Sequence, residues 1–150
     1  MRAVVQRVLT AAVDVVDPDG TRSLVGELRS PGLLVLVGVA PDDGPEQVRW
    51  LADKLVGLRI MREERSVLDA VPEGAGVLLV SQFTLYGDVR RGRRPTWAAA
   101  APPQVAEPLV DALAAAVRER GVPVATGRFR ADMRVRSEND GPVTLVVDTP

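Results

Sequence analysis

The sequence predicts an α/β protein in which one domain, residues 1–150, combines a mixed β-sheet with two main helices. Three observations lead to this prediction. The 150 residues are 46% hydrophobic and 26% charged, which suits one globular domain with a buried core. Short apolar, β-branched segments dominate the first forty residues and recur near the end of the chain. Two longer segments repeat apolar residues at the spacing of an amphipathic helix.

The first forty residues are predicted to form strands at 3–8, 11–16, 22–28 and 33–39. The segment Asp-Pro-Asp-Gly at 17–20 indicates a turn between the second and third of them, because Pro and Gly favour turn positions. The fourth strand has no polar alternation, which predicts a central strand covered on both faces.

The first helix is predicted to begin at an N-cap at Asp43 and to end near residues 58–61. An aspartate favours this start because its carboxylate accepts backbone N–H groups and interacts well with the positive end of a helix. Four apolar residues at helical spacing form its inward face: Val48, Leu51, Leu55 and Leu58.

A buried strand is predicted at 77–82, and an irregular segment follows at 87–97. The second helix is predicted at 102–120, because apolar residues recur there at helical spacing and Gly121 favours a helix end. Three short strands are predicted to complete the chain, at 122–127, 132–138 and 142–148.

The residues that are absent restrict the chemistry. There is no cysteine and no histidine, which excludes disulfides, thiol nucleophiles, zinc sites built on these residues, and Ser-His or Cys-His pairs. Lys54 is the only lysine. An acid, base or nucleophile must therefore come from a carboxylate, Lys54, an arginine, a hydroxyl, the backbone, water or the substrate. We expect neither a metal nor a cofactor.

Charge is distributed unevenly along the chain, although the net charge is only −1. Residues 1–89 have a net charge of −4, residues 90–136 a net charge of +6, and residues 137–150 a net charge of −3. The basic block indicates either a local anionic ligand or an ordinary solvated surface. The longest apolar run, 33–40, is far shorter than the roughly 20 residues that cross a bilayer, and no signal peptide is recognised. We therefore expect a cytoplasmic protein without a membrane partner.

Three segments carry polar groups that a scaffold does not need. Ser-Gln-Phe-Thr-Leu-Tyr at 81–86 follows a buried strand, and strand ends are where α/β sheets bind ligands, although it also fits an ordinary strand end. Asn-Asp-Gly-Pro at 139–142 predicts a hairpin turn between two strands. Arg-Arg-Gly-Arg-Arg-Pro at 90–95 sets four guanidinium groups on a loop, where they match phosphate geometry or are simply solvated.

Together and in this order, these segments resemble the D-aminoacyl-tRNA deacylases. Ser-Gln-Phe-Thr-Leu at 81–85 followed by Arg-Arg-Gly-Arg-Arg-Pro, and Asn-Asp-Gly-Pro-Val-Thr at 139–144, carry the resemblance. The opening residues 1–8 and the segment 129–135 are similar as well. The likeness therefore covers essentially the whole chain.

The resemblance implies a three-layer domain of β2-(βα)2-β3 type with a largely antiparallel sheet, assembled as a homodimer with active sites at the subunit interface. It implies hydrolysis of the ester of D-aminoacyl-tRNA, and of mischarged glycyl-tRNA. In this family a cis Gly-Pro element, here Gly141-Pro142, enters the partner's pocket, where its carbonyl groups exclude L-aminoacyl groups. Two positions depart from the family's pattern: Arg130 stands where glycine is usual, and Glu138 replaces a typically apolar residue. Arg130 is expected to change the local backbone and the adenosine-side wall, and to add a phosphate contact.

The resemblance also implies roles for individual residues. The catalytic positions are Ser81, Gln82, Phe83 and Thr84; the substrate-binding positions are Phe129, Met133, Asn139 and Thr144; the tRNA-binding positions are Arg90, Arg91, Arg93 and Arg94. Backbone N–H groups at Phe83 and Thr84 are expected to stabilise the oxyanion, and the 2′-OH of the tRNA to help activate water. Thr84 is not expected to be a conventional nucleophile, because no histidine exists to act as its base.

Two alternatives stay open at this point. A non-catalytic module that binds the tRNA 3′ end would explain the arginines and the missing histidine equally well. A metal-free hydrolase of small D-amino-acid esters would need no RNA, and its turnover would be insensitive to salt, whereas RNA binding weakens as salt rises.

Overall fold

The computed structural model describes residues 1–150, and its sheet is organised around one long strand, β1 (Arg2–Val16). One edge of β1 pairs antiparallel with β2 (Arg22–Leu28) and β3 (Gly32–Gly38), which lie end to end along it. The other edge pairs antiparallel with β6 (Met133–Asp148). Parallel strands β4 (Val77–Ser81) and β5 (Val124–Thr126) extend the sheet beyond β3. The predicted mixed sheet is confirmed.

The two predicted helices are present, and both cover one face of this sheet. They are α1 (Pro45–Gly57) and α2 (Pro103–Glu119), and they pack on each other and on one large apolar cluster. Three single-turn 3-10 helices lie in the connections: Arg62–Glu64, Val71–Glu73 and Phe83–Tyr86. Neither α1 nor α2 has the combination of length and apolar character that crossing a lipid bilayer requires.

Alternate residues of the central strands face two separate cores. In β3, Leu33, Val35 and Val37 pack beneath the helices, whereas Leu34 faces a second cluster on the opposite side of the sheet. That second cluster also holds Leu28 of β2, which curls over this face. The prediction that 33–39 forms a strand covered on both faces is confirmed, and the apolar sequence follows from it because neither face meets water.

The N-cap of α1 is Gly44, not Asp43 as predicted, because the Asp43 carboxylate has other partners. It accepts a hydrogen bond from the Met1 ammonium at 2.5 Å and another from the Ala40 N–H at 2.6 Å. The Gly44 N–H instead donates to the Gln47 side chain at 3.0 Å. The helix ends at Gly57, slightly before the predicted 58–61.

The two strands predicted at 3–8 and 11–16 are one continuous strand, β1. It passes from β3 to β2 along one edge without a break, because β6 stays paired with it along the other edge, including Thr10 with Glu138. Likewise, the strands predicted at 132–138 and 142–148 are one strand, β6, so the chain ends in two strands after α2 rather than three. The strand predicted at 122–127 is shortened to β5.

The predicted hairpin at 139–142 is wrong. Val8 of β1 pairs with Asn139, and Gln6 pairs with Thr144, so β6 continues in one direction along β1. Residues 140–143 are the surplus between these pairs, and they bulge out opposite Arg7 alone. We call them the 140–143 excursion. The Gly141–Pro142 peptide bond within it is cis, and both residues are exposed.

Candidate active site

A cavity of about 580 Å³ opens at the carboxyl ends of the parallel strands β3 and β4. Its floor comes from these strand ends, and the first turns of α2 and the segment 129–135 form its walls. The lining is mainly apolar, with Ser81 and Gln82 contributing polar groups from the end of β4. Such a strand end is the usual place for a ligand in a parallel sheet, as the sequence predicts for residues 81–86.

The chain turns sharply after Ser81, and this turn forms one rim of the cavity. The Gln82 N–H donates to the Val37 carbonyl at 2.7 Å, and the 3-10 helix Phe83–Tyr86 begins immediately afterwards. Gly38 permits this arrangement, since a Cβ there would lie 3.0 Å from both the Gln82 carbonyl oxygen and the Tyr86 ring. The tight turn leaves Phe83 55% exposed at the cavity.

Two aromatic rings meet at this rim. Phe83 and Trp97 contact each other edge to face, with ring centroids 5.4 Å apart and an angle of 74° between the planes. Gly87 makes room for the indole, because a Cβ there would lie 2.6 Å from a Trp97 ring carbon. Both aromatic residues line the cavity and remain substantially exposed, so a planar ligand can contact them.

Two backbone donors at the rim are unused. Neither the Phe83 N–H nor the Thr84 N–H donates to an acceptor within the chain. The Thr84 hydroxyl accepts a hydrogen bond from the Gln82 side-chain amide, and no carboxylate or amine contacts it. This end of β4 therefore offers main-chain donors but no group that would take a proton from Thr84.

The segment Phe129–Arg130 and Met133 of β6 form the opposite wall of the cavity. Arg130 has a φ of +59°, which is the left-handed region that favours glycine. The position at which the resemblance leads us to expect glycine thus has a glycine-like backbone conformation. The adjacent Gly127 is also closely packed, because a Cβ there would lie 2.8 Å from the Met133 sulfur.

Arg130→Gly is expected to stabilise the protein by about 0.5–1 kcal/mol. A left-handed conformation costs a non-glycine residue about 1–2 kcal/mol, and the greater freedom of glycine in the unfolded chain offsets about half of the gain. Arg128→Gly is the matched control. Arg128 has a negative φ, so this variant relieves no strain and is only destabilised by the greater freedom of glycine in the unfolded chain. Chemical denaturation should give shifts of opposite sign, and equal shifts would contradict this account.

The four predicted tRNA-binding arginines lie on an exposed loop beside the cavity. Asp88 and Thr96 close the loop through two backbone hydrogen bonds of 2.9 and 3.0 Å, and Trp97 follows directly. Arg90 forms an ion pair with Asp88 at 2.7 Å, which lowers the pKa of that carboxyl to about 2. The other three guanidinium groups have no carboxylate partner: Arg91, Arg93 and Arg94.

Side chains at its base hold the 140–143 excursion in place. The Asn139 amide donates to the Arg7 carbonyl at 2.8 Å and to the Val143 carbonyl at 3.3 Å. The buried Asp140 carboxylate pairs with Arg7 at 2.9 Å and with Arg62, and its pKa is lowered chiefly by the hydrogen bond from Arg62. The excursion therefore leaves β6 from a fixed position.

The structure gathers only part of the predicted site around one cavity. Of the predicted residues, the ones that line it are Ser81, Gln82, Phe83, Phe129 and Met133. Thr84 lies at the adjoining turn. Asn139, Thr144 and the Gly141-Pro142 element lie elsewhere in the same chain, and the Thr144 hydroxyl accepts a hydrogen bond from Gln6 at 3.0 Å.

Sequence reasoning missed Trp97 as a lining residue, whereas it associated Arg130 with the adenosine-side wall, and Arg130 does line the cavity. Trp97 carried a signal, because it is an aromatic residue next to a run of arginines, which is a combination that nucleotide sites use. The small residues just before and within the first turn of α2, such as Ala101 and Ala106, carried none, because alanine near a helix start is equally typical of a plain core contact.

Comparisons with known proteins point in one direction. A family model described as D-Tyr-tRNA(Tyr) deacylase matches residues 4–148. Proteins named D-aminoacyl-tRNA deacylase from Beutenbergia cavernae and Kineococcus radiotolerans are each 60% identical over 148 residues, which is 99% of both chains. One of the same name from Streptomyces coelicolor is 55% identical over the same length and coverage.

Two solved structures superpose on the whole chain. One, described as a c-Myc DNA unwinding element binding protein, has a TM-score of 0.84 at 31% identity and covers 100% of this chain and 99% of its own. The other, a probable eukaryotic D-amino acid tRNA deacylase, has a TM-score of 0.74 at 20% identity, with coverage of 99% and 98%. The second likeness concerns the fold alone.

Proposed function

The chain belongs to the D-Tyr-tRNA(Tyr) deacylase family, and from that premise we propose that it hydrolyses the ester of D-aminoacyl-tRNA to free D-amino acid and tRNA. It is thus an ester hydrolase, and residues 1–150 act as one deacylase domain. Because its substrate is a tRNA, we propose that the protein acts in the cytoplasm. The observation that carries the proposal is the cavity at the end of β4, where unused backbone donors adjoin exposed aromatic rings.

We assign the catalytic work to the turn that follows β4. Water attacks the ester carbonyl carbon, and the N–H groups of Phe83 and Thr84 donate to the oxygen on which negative charge develops. One such donor contributes roughly 3 kcal/mol in other hydrolases. The bond from carbon to the tRNA 3′ oxygen then breaks, and that oxygen takes up the proton that the attacking water gives up. Ser81 and Gln82 hold the aminoacyl ester beside these donors, while Phe129 and Met133 line the side facing the adenosine.

Activation of the water falls to the substrate in this proposal. The chain has no histidine, and no carboxylate or amine contacts Thr84. The vicinal 2′-OH of the terminal ribose is the remaining group that accompanies every productive substrate into the site. It orients and polarises the water by hydrogen bonding, so the protein supplies position and charge stabilisation rather than a base.

Thr84→Val tests this division of labour. Because Thr84 contributes its backbone N–H and not its hydroxyl, kcat for D-tyrosyl-tRNA should fall by less than about tenfold, whereas loss of a true nucleophile costs about 10⁴-fold or more. Single-turnover hydrolysis at saturating enzyme gives the rate directly. A fall of three or more orders of magnitude in a folded variant would assign the nucleophile to the hydroxyl.

We further propose that two copies assemble so that each 140–143 excursion enters the other's cavity. The outer edge of β6 has no strand partner, and Val146 on this strand is 65% exposed. An uncovered sheet edge with exposed apolar residues is a typical place for a second subunit. The Gly141-Pro142 element would then face the substrate with backbone groups, which admit a D-aminoacyl or glycyl group and reject an L side chain. In this assembly Asn139 and Thr144 flank the 140–143 excursion and support the Gly141-Pro142 element from its base.

The experiment that tests the proposed function is deacylation of D-tyrosyl-tRNA against L-tyrosyl-tRNA by purified protein. We expect rapid release of D-tyrosine and little release of L-tyrosine. Equal hydrolysis of the two esters, or hydrolysis of neither, would overturn the proposal. Tight binding without turnover would favour a module that only holds the tRNA 3′ end.

A further inference from the structure

Arg130 is the only basic residue that lines the cavity. It is exposed, and its guanidinium forms neither an ion pair nor a hydrogen bond within the chain. Asp132, the one acidic residue of the lining, does not pair with it. The wall of this mainly apolar cavity thus carries a fork of guanidinium N–H donors without an ion-pair partner.

The backbone at this position adds a second, independent observation. Arg130 holds a left-handed φ of +59° although it is not glycine. Such conformations cost energy and cluster at ligand-binding and catalytic sites, where the side chain is needed in one place. The strain is confined to this residue on its wall, because its neighbours Phe129 and Ala131 have ordinary negative φ values.

We propose that Arg130 binds the 5′-phosphate of the nucleotide whose ribose carries the aminoacyl ester. The inference rests on the proposed function, because it takes the ester and its adenosine to occupy this cavity. One nucleotide carries both the ester and this phosphate, so a substrate that places its ester at the Phe83 rim brings a phosphate to the surrounding wall. A guanidinium fork matches two phosphate oxygens, and such charge-assisted bonds are about twice as strong as neutral ones.

This role differs from that of the loop at 90–94. The loop arginines are exposed and outside the cavity lining, so they meet the remainder of the tRNA through long-range attraction. Arg130 lies within the cavity wall, where it would read one phosphate of the terminal nucleotide. It therefore affects small substrates as well as whole tRNA.

The test compares two minimal substrates that differ only in this phosphate: 3′-O-D-tyrosyl-adenosine and 3′-O-D-tyrosyl-adenosine 5′-phosphate. For the parent protein, KM should be about tenfold lower with the phosphate than without it, which is the size expected for one charge-assisted contact. Arg130→Gly should abolish this preference and leave kcat unchanged. Glycine is the informative replacement because it adopts the left-handed backbone without strain.

Arg128→Gly is the matched control, because Arg128 is exposed two residues away and does not line the cavity. It should keep the tenfold phosphate preference, and Arg130→Lys should keep part of it. For D-tyrosyl-tRNA, KM should rise about tenfold in Arg130→Gly and stay unchanged in Arg128→Gly. An unchanged phosphate preference in Arg130→Gly, or equal KM values for the two esters in the parent, would overturn the assignment. Failure of the parent to hydrolyse D-tyrosyl-tRNA would instead overturn the proposed function.

Discussion

Asn139→Ala should raise hydrolysis of L-tyrosyl-tRNA at least about tenfold, while hydrolysis of D-tyrosyl-tRNA changes less than about threefold. A binding pocket that loses a tight steric fit typically loses discrimination of 10-fold or more. The Asn139 amide bonds to the Arg7 and Val143 carbonyl groups, one on β1 and one at the far end of the 140–143 excursion. Without these bonds the excursion is held only through Asp140, which pairs with Arg7 and Arg62, so Gly141-Pro142 is less firmly positioned.

The expected pattern is specific to a gate. A group that binds both substrates equally would slow both reactions when it is removed, whereas a group that excludes the wrong substrate lets that substrate react. Ser137→Ala is the matched control, because Ser137 is exposed on the same strand and its side chain makes no hydrogen bond within the chain. Rates should be measured under single-turnover conditions with both aminoacyl-tRNAs. Unchanged L-tyrosyl-tRNA hydrolysis in a folded Asn139→Ala variant would contradict the proposal that Gly141-Pro142 excludes L-aminoacyl groups.

The core of the sheet was predictable because buried positions are occupied by apolar residues, whose pattern is visible in the sequence. An uninterrupted apolar run from 33 to 39 that is of strand length and rich in valine favours a strand covered on both faces, and β3 is such a strand. The two helices were equally predictable, because the spacing of their apolar residues can be read from the local sequence. The site at the end of β4 followed from the same logic, because polar residues directly after a buried strand must emerge at the sheet's edge.

The 140–143 excursion was not predictable in the same way. Asn-Asp-Gly-Pro is compatible with a hairpin turn and with a bulge, because both need residues that tolerate unusual backbone angles. The choice between them is made by β1, a strand more than 120 residues earlier, which keeps pairing with β6 on both sides of the bulge. Buried pairing of Asp140 with Arg7 and Arg62 then fixes the bulge. None of these contacts leaves a local signal.

The cap of α1 illustrates the same limit on a smaller scale. Asp43 has the right residue type and position for an N-cap, but the Met1 ammonium lies beside it and takes its carboxylate. The charged Met1 ammonium, just before β1, outweighs a local preference worth about 1 kcal/mol. The prediction was wrong because the competing group is distant in sequence.

Simultaneous replacement of Arg91, Arg93 and Arg94 by alanine should raise KM for D-tyrosyl-tRNA by about 100-fold near physiological salt and leave kcat unchanged at saturation. Each phosphate contact that is lost removes about 0.7–0.9 from the slope of log affinity against log salt, so the triple variant should lose about 2–3 from that slope. These three side chains are exposed and have no carboxylate partner, which leaves their full charge available to the tRNA backbone.

Arg90→Ala is the internal contrast, because Asp88 already balances its charge, and its effect on KM should be clearly smaller than that of any other single arginine of the loop. A second triple variant, Arg22→Ala with Arg49→Ala and Arg128→Ala, controls for net charge, since these residues are exposed and form no ion pair in other parts of the chain. Turnover of 3′-O-D-tyrosyl-adenosine should be the same in all variants and independent of salt, because this ester does not reach the loop. A salt slope that survives the triple replacement would move the tRNA-binding surface away from residues 90–94, and a salt-independent KM for the tRNA in the parent would favour a hydrolase of small esters that needs no RNA.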